Sequence, residues 1–267
     1  MDYWWLECNT FSCTFKPYVV WCGMKFTENE NSFTLSDFKS IKKYEYKKYS
    51  RAEDPETGKR LYAVDGTKLP SVTTILGATK DQASVEALER WKKQKGEQEA
   101  NRIKNEAATI GTEMHLVIEK YIEGQGYLNL SEQGNRPRKM AHTILKHCDD
   151  ITEVWGNEIS LAYPEKYAGA TDLVGVANGK VTLFDWKQTN KPKKREWSSV
   201  QDYFMQLAAY SLAHEKVFGP IEAASIRMCS RDMQYFQFDI EGQELKDYQA
   251  KWWERYTKYE NVVSSEG

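Results

Sequence analysis

Hydrophobic and polar positions change their period along the chain, and the changes mark its elements. Between residues 81 and 123 the period is helical. Val85, Leu88 and Trp91 form one stripe, and Ala100, Ile103 and Ala107 a second. Met114, Val117, Ile118, Tyr121 and Ile122 form a third, after a break expected at Gly111. Gly124, Gly126, Gly134 and Pro137 predict a loop, and a further helix is expected from about 138 to 149. From Asn157 the period falls to two: Ile159, Leu161 and Tyr163 alternate with Glu158, Ser160 and Ala162, as in a half-buried strand. Residues 170–177 and 180–187 are two more strands, joined by Asn178-Gly179, the dipeptide that best fits a two-residue hairpin turn. The helical period returns from about Ser198, with Val200, Phe204, Leu207 and Ala208 facing a core. Upstream, a short strand at 61–64 lies between turns at 54–58 and at Asp65-Gly66. Pro70-Ser71-Val72 opens a helix for which Ser71 is the natural cap.

The hairpin turn sets a register. Ala177 faces Lys180, and counting back along both strands brings Asp172 opposite Asp185. Facing side chains have Cβ atoms about 4.5–5.5 Å apart, and like charges there repel. Val174, Val176, Val181 and Leu183 share that face, so it is otherwise apolar. Two carboxylates in such a place imply that one is protonated or that a cation lies between them. Oxygen ligands on rigid strands suit Mg²⁺ or Mn²⁺ rather than zinc. Lys187 follows Asp185 by two residues and projects on the same face, where an ammonium could hold a water and balance phosphate charge. Glu158 on the preceding strand is a third carboxylate, with its register left open by the connection after it. The bland alternative is a Lys–Asp ion pair on a solvated hairpin, against which the apolar neighbours argue. Gln206 and Tyr210, at i and i+4, can reach one ligand from the following helix, or can be simple packing with a polar rim.

Composition changes this picture only in places. The 267 residues are 40% hydrophobic and 28% charged, enough for one large domain or a domain with an appended subdomain. A mean hydropathy of -0.71 and the lack of a long apolar run exclude a membrane-spanning helix. Five cysteines (Cys8, Cys13, Cys22, Cys148 and Cys229) are too few for a disulfide scaffold and too badly spaced for zinc or an iron–sulfur cluster. They fit a reducing, cytoplasmic setting. Residues 1–23 are crowded with aromatics and carry neither a basic nor a continuous apolar segment, so they do not form a signal peptide. They read as a small aromatic lobe or, preferably, as an extension ahead of a functional chain starting at Met24. Lys+Arg number 37 against 39 Asp+Glu, a balance that taken alone argues against a nucleic-acid ligand. The basic residues are nonetheless clustered. One run lies at 39–51, interleaved with Tyr44, Tyr46 and Tyr49. A second (Lys191, Lys193, Lys194, Arg195) leads directly out of the carboxylate hairpin. Each reads either as a solvated face or as a holder of phosphates.

Gly169-Ala170-Thr171-Asp172, Asp185-Trp186-Lys187 and Gln206-Leu207-Ala208-Ala209-Tyr210, in that order, resemble the PD-(D/E)XK nuclease superfamily, and its RecB-like exonuclease branch in particular. Gly111-Thr112-Glu113-Met114-His115 is similar to that branch's histidine motif, and residues 69–76 look like the start of mitochondrial genome maintenance exonuclease-like proteins, a group frequent in phage genomes. The likeness covers roughly residues 60 to 215. It implies that Asp172, Asp185, His115 and the backbone carbonyl of Trp186 hold the metal. It also implies that Lys187 is the catalytic lysine, with Glu158 as the acidic residue of the first core strand. Gln206, Tyr210 and the basic residues at Lys191, Lys193, Lys194 and Arg195 would then face DNA. On its own His115 reads as a core histidine beside Ile118 and Ile122; the resemblance turns it into a ligand. No cysteine follows Cys229, so no iron–sulfur cluster is expected.

The fold implied is an α/β restriction-endonuclease-like core, a mixed sheet flanked by helices with an added helical region. Residues 1–23 are expected as an extension, 24–150 as an N-terminal hairpin and helical region, and 151–267 as the core sheet with C-terminal helices, 24–267 forming one unit. The activity implied is a Mg²⁺- or Mn²⁺-dependent DNA exonuclease acting on single strands or ends in replication, recombination or DNA degradation. The alternatives are a structure-specific or restriction-type endonuclease and a non-catalytic DNA-binding accessory module. No GxxxxGK[ST] motif occurs, so unwinding would fall to a helicase partner. A polymerase or single-strand-binding protein are the other partners implied, in the host cytoplasm if the chain is of phage origin.

Overall fold

Asn178 (φ 50°) and Gly179 (φ 75°) form the mirror-image turn that matches the right-handed twist of the strands on either side. Those strands are the centre of the computed structural model, which describes residues 38–54, 58–125 and 132–266. The aromatic segment 1–23 with Cys8, Cys13 and Cys22, the start at Met24, the turn tip at 55–57 and Gly126 lie outside the described residues.

The chain runs β1 (Lys39–Ser40), β2 (Ser50–Glu53), β3 (Arg60–Val64), β4 (Thr67–Pro70), α1 (Val72–Ala78), α2 (Gln82–Lys95), α3 (Glu97–Ile122) and α4 (Glu132–Leu145). It continues through β5 (Ile151–Tyr163), β6 (Tyr167–Ala177), β7 (Lys180–Thr189), α5 (Ser198–Val217), β8 (Ala223–Ser230), β9 (Tyr235–Glu241) and α6 (Gly242–Glu266). Six strands form a mixed sheet in the order β1-β5-β6-β7-β8-β9; β2, β3 and β4 form a small antiparallel sheet. The β6–β7 register is the one the Asn-Gly turn dictates, from Ala177↔Lys180 to Leu173↔Phe184. Beyond the hairpin, β7 pairs in parallel with β8 through the α5 crossover.

Alternation along β6 and β7 covers both faces of the sheet. Val174 and Leu183 lie in one core with Val200, Phe204, Leu207 and Ala208 of α5 and Leu245 and Trp252 of α6. Leu173, Phe184 and Trp186 lie in a second core with Met114 and Ile118 of α3 and Met140 and Ile144 of α4. The helices therefore sandwich the sheet, and both central strands are buried on both sides. Tyr62, Val64 and Leu69 of the small sheet pack on Ala162 and Ala168 at the β5–β6 end. Ser71 caps α1 as its position suggests, its hydroxyl accepting from the Thr74 N–H.

Several local expectations are corrected. The helical break falls at Gly96 (φ 79°), whereas Gly111 lies inside α3, next to Gln188 of β7. α4 begins at Glu132, so Gly134 and Pro137 are helical. The burial of Met140, Ala141 and Ile144 against α3 offsets the roughly 3 kcal/mol that an interior proline costs. The Val85–Leu88–Trp91 stripe is not core: α2 has no buried residue, and Val85 and Leu88 are exposed. β5 starts at Ile151, six residues before the strict alternation. It carries register shifts near Glu153 and Gly156 that disguise its first half as irregular.

Candidate active site

Asp172 and Asp185 stand where the β6–β7 ladder ends. The last backbone pair is Leu173↔Phe184, one step before them, and the aspartates occupy the mouth of the opening strands. Side chains satisfy the backbone there: the Trp186 N–H donates to Asp172 Oδ2 at 2.6 Å and Thr171 Oγ1 donates to the Phe184 carbonyl. In an extended strand the N–H and C=O of one residue point to the same side. The Trp186 carbonyl therefore faces the same gap as its N–H.

β5 brings the third carboxylate. The Tyr163↔Tyr167 turn fixes the β5–β6 register. Glu158 lies between the pairs Asn157↔Leu173 and Ile159↔Thr171, directly across from Asp172. Its backbone is left-handed (φ 49°), a strained conformation for a residue with a side chain. This breaks the strand's alternation: the Asn157 side chain donates to the Glu119 carbonyl on α3, while Ile159 lies in the α5 core. The fourth group comes from α3, whose Met114 and Ile118 are fully buried in the second core and place His115 at its edge. His115 Nδ1 lies 3.1 Å from Asp172 Oδ1 and 3.9 Å from Glu158 Oε1. Ligand atoms of His115, Glu158 and Asp172 all lie within 4.8 Å of one another. Their side chains are 28%, 33% and 10% exposed, so the cluster is open to solvent on one side.

The electrostatics follow from this crowding. Burial alone would favour neutral imidazole at His115, but Asp172 and Glu158 outweigh it and push its pKa up to about 10. Burial would likewise raise Asp172, yet His115, Lys187 and the Trp186 N–H hold it below the ordinary carboxylate range. Burial pushes the Asp185 carboxyl up to about 6; the Lys187 ammonium opposes this and the negative charge of Asp172 adds to it. The Lys187 ammonium sits on Asp185 Oδ2 and is kept charged by the two aspartates despite its burial.

One imidazole nitrogen and two carboxylates on a partly open rim are a donor set that could hold a divalent metal ion, with water or phosphate oxygens completing its shell. Glu158, read from sequence as a catalytic acid, is part of this three-residue cluster. Asp185 stands beside it, turned to Lys187 and to Gln206, whose Nε2 lies 3.3 Å from Asp185 Oδ1.

The other expected residues divide. Gln206 and Tyr210 are buried, the Gln206 amide also donating to the Tyr210 hydroxyl at 3.2 Å, so both stand behind Asp185 rather than at the surface. Arg195, expected to face DNA, is instead bound to Glu244 and to the Asp239 carbonyl, against Phe204, because α6 packs beside the start of α5. Lys193 donates to Ser199 Oγ at 2.8 Å, while Lys191 and Lys194 are exposed. In the 39–51 run the tyrosines are structural. Tyr44 and Tyr46 pack with Trp155, His214 and Phe218, and Tyr49 packs on the small sheet's core. One neighbour escaped the sequence reading: the Tyr203 ring lies 5.2 Å from Lys187 Nζ. Its spacing to Gln206 and Tyr210 on one helical stripe was the available signal.

No protein-family model matches the chain. It is 26% identical to mitochondrial genome maintenance exonuclease 1 of Homo sapiens over 164 residues, which covers 60% of this chain and 47% of that protein. It is also 26% identical to the Mus musculus protein of the same name over 201 residues, 72% of this chain and 59% of that one. The chain spans about half the length of the curated relatives it matches. Among solved structures, a Eubacterium rectale protein provisionally named an exonuclease aligns at a TM-score of 0.42 and 10% identity, over 59% of this chain and 69% of that one. The name of the curated relatives is consistent with a PD-(D/E)XK-like nuclease.

Proposed function

We propose that this chain is a metal-dependent deoxyribonuclease that hydrolyses phosphodiester bonds from the ends of single-stranded DNA. The observation that carries this reading is the convergence of His115, Glu158 and Asp172 within 4.8 Å beside the Asp185–Lys187 pair, where the central strands β6 and β7 part. Glu158, Asp172 and His115 would hold Mg²⁺ or Mn²⁺, with the Trp186 carbonyl facing the same gap and Asp185 alongside, held by Lys187 and Gln206. Such an ion lowers the pKa of a bound water and offsets charge on the phosphate and the leaving oxygen. Lys187 keeps a full positive charge beside the carboxylates and orients the attacking water against the scissile phosphate. Gln206, held by Tyr210, keeps Asp185 in position through the Asp185 Oδ1 contact. The relatives' name supports DNA ends as the substrate. Exonuclease action leaves a closed circle whole, whereas the endonuclease alternative on the same core would not.

The test is digestion of end-labelled single strands, end-labelled duplexes and covalently closed circles with Mg²⁺ or Mn²⁺. Wild-type chain should shorten the strands from their ends and spare the circles. Lys187→Ala and Asp172→Ala should each lose about 10²–10⁴-fold in rate, the scale of a removed acid–base or charge-balancing group. Activity surviving both changes, or cutting of closed circles, would refute this assignment.

A further inference from the structure

Exposing a large aromatic ring is unfavourable, and among the described residues every tryptophan, tyrosine and phenylalanine but one is buried or half-buried. The exception is Trp197, 42% exposed, at the cap of α5. It ends the loop that runs out of the catalytic strand β7.

A continuous path links it to the site. The Tyr203 ring lies over the Lys187 ammonium. Ser199 is one turn earlier on the same stripe of α5. Lys193 Nζ is held on Ser199 Oγ at 2.8 Å and lies 5.9 Å from the centre of the Trp197 ring. Lys193 is half-buried, and among the described residues its contacts are a neutral hydroxyl and a neutral ring, with no carboxylate in salt-bridge range. An ammonium partly withdrawn from water without an anion is itself unfavourable, and burial lowers its pKa accordingly. A phosphate oxygen would supply the missing partner. On the other side of the loop, Ser198 meets Ser84 in the first turn of α2, the helix that exposes Val85 and Leu88.

From this arrangement we infer that Trp197 and Lys193 form a nucleotide subsite for an unpaired strand leaving the catalytic centre, the indole stacking on a base and the ammonium taking the adjoining phosphate. This deepens, and rests on, the nuclease reading above. Stacking needs a base whose face is free, so the subsite accepts single strands and rejects duplex, whose bases are stacked on one another. It is indifferent to base identity, because every base has a π-face.

The experiment measures binding of a fluorescent single-stranded oligodeoxynucleotide by the full chain in EDTA, so that no strand is cut. A set of oligonucleotides carries one abasic position moved stepwise along the sequence. Wild-type chain should lose about 5- to 100-fold in affinity at one register, the equivalent of one stacked base. Trp197→Ala should lose the same factor on intact strands and show no further loss at that register, while Trp197→Phe restores most of it. Lys193→Gln should lower the slope of log affinity against log salt by about 0.7. Duplex binding should change little in all three. A wild-type abasic scan without a sensitive register, or Trp197→Ala binding strands like wild type, overturns the subsite while leaving nuclease activity intact. A wild-type chain that neither binds nor cuts DNA overturns the nuclease reading and the subsite together.

Discussion

Gly169→Ala tests whether the layer behind the aspartates is as closely fitted as its contacts imply. Gly169 pairs with Leu161 on β5, and its α-carbon faces the Tyr210 ring. A Cβ there would lie 2.9 Å from both Cζ and Oη of Tyr210 and nearer still to Cε1. The ring is 3% exposed, its hydroxyl is bound by Gln206, and its helix is buried along most of its length, so it cannot swing aside. Overpacking of this kind costs about 1–3 kcal/mol. Alanine returns about 0.4–1 kcal/mol by restricting the unfolded chain. The net loss should be about 1–2 kcal/mol, or a Tm lowered by about 2–8 °C for a chain of this size. Tyr210→Ala alone should cost about 3–5 kcal/mol as a large-to-small change. In the Gly169→Ala background it should cost about 2 kcal/mol less, because the truncation also relieves the clash. Urea denaturation followed by circular dichroism gives all four corners of the cycle. Because Tyr210 anchors Gln206 and Gln206 holds Asp185, Gly169→Ala should also slow DNA hydrolysis at saturating metal. Strictly additive free energies, or a Gly169→Ala protein within 0.5 kcal/mol of wild type, would refute the packing argument.

Other perturbations probe other layers. Adding Mn²⁺ at 100 times its Kd should stabilise the wild-type chain by about 2.7 kcal/mol in a thermal melt, and His115→Ala or Glu158→Ala should abolish most of that gain; an unchanged gain would place the ion elsewhere. His214 accepts from the Tyr46 hydroxyl and donates to the Gly219 carbonyl, and burial lowers its pKa. Below the unfolded value of about 6.5 the unfolded chain therefore takes up a proton that the folded one resists. This group should cost stability as pH falls, by at most about 1.4 kcal/mol per pH unit. His214→Gln should flatten the urea-derived stability between pH 7 and pH 5 relative to wild type, and parallel curves would count against the assignment. Arg227 is fully buried, its guanidinium donating to Asp150 Oδ2 and the His147 carbonyl at 2.7 Å each. Asp150→Ala should cost about 3 kcal/mol by leaving that charge unpaired, against well under 1 kcal/mol for an exposed pair such as Lys47–Asp65. Equal losses in the two variants would mean that solvent reaches Arg227.

The central hairpin is legible in sequence because each of its signals is local. A two-residue turn, alternation on both sides and a fixed count bring Asp172 and Asp185 to facing positions one step beyond the last paired rung, and Lys187 beside them. The Ser71 cap and the α5 stripe are local in the same sense. What misled was also local: Gly111, Gly134 and Pro137 look like breaks, but helix packing on the sheet overrides their propensity. In α2 the periodic apolar residues look like core, yet among the described residues none buries Val85 or Leu88, and Trp91 is only half-buried.

Glu158 marks the boundary between the two kinds of information. Its residue type and its strand are written in the sequence; its left-handed backbone is not, because that strain persists only where surrounding pairs enforce it. His115 is the same case from the helical side: on its own helix it reads as core, and only the packing of Met114 and Ile118 carries it to Asp172. The net charge of -2 averages over ion pairs that consume Arg195 and Lys47 and over the half-buried Lys193, which has none among the described residues. Sequence by itself determined the hairpin, its register and the juxtaposition of its two aspartates, since a turn and an alternation act between neighbours. Tertiary structure decided which third and fourth groups join them, and which basic and aromatic side chains stay free. Those choices depend on how α3, β5 and α6 pack across the sheet from residues far away in the chain.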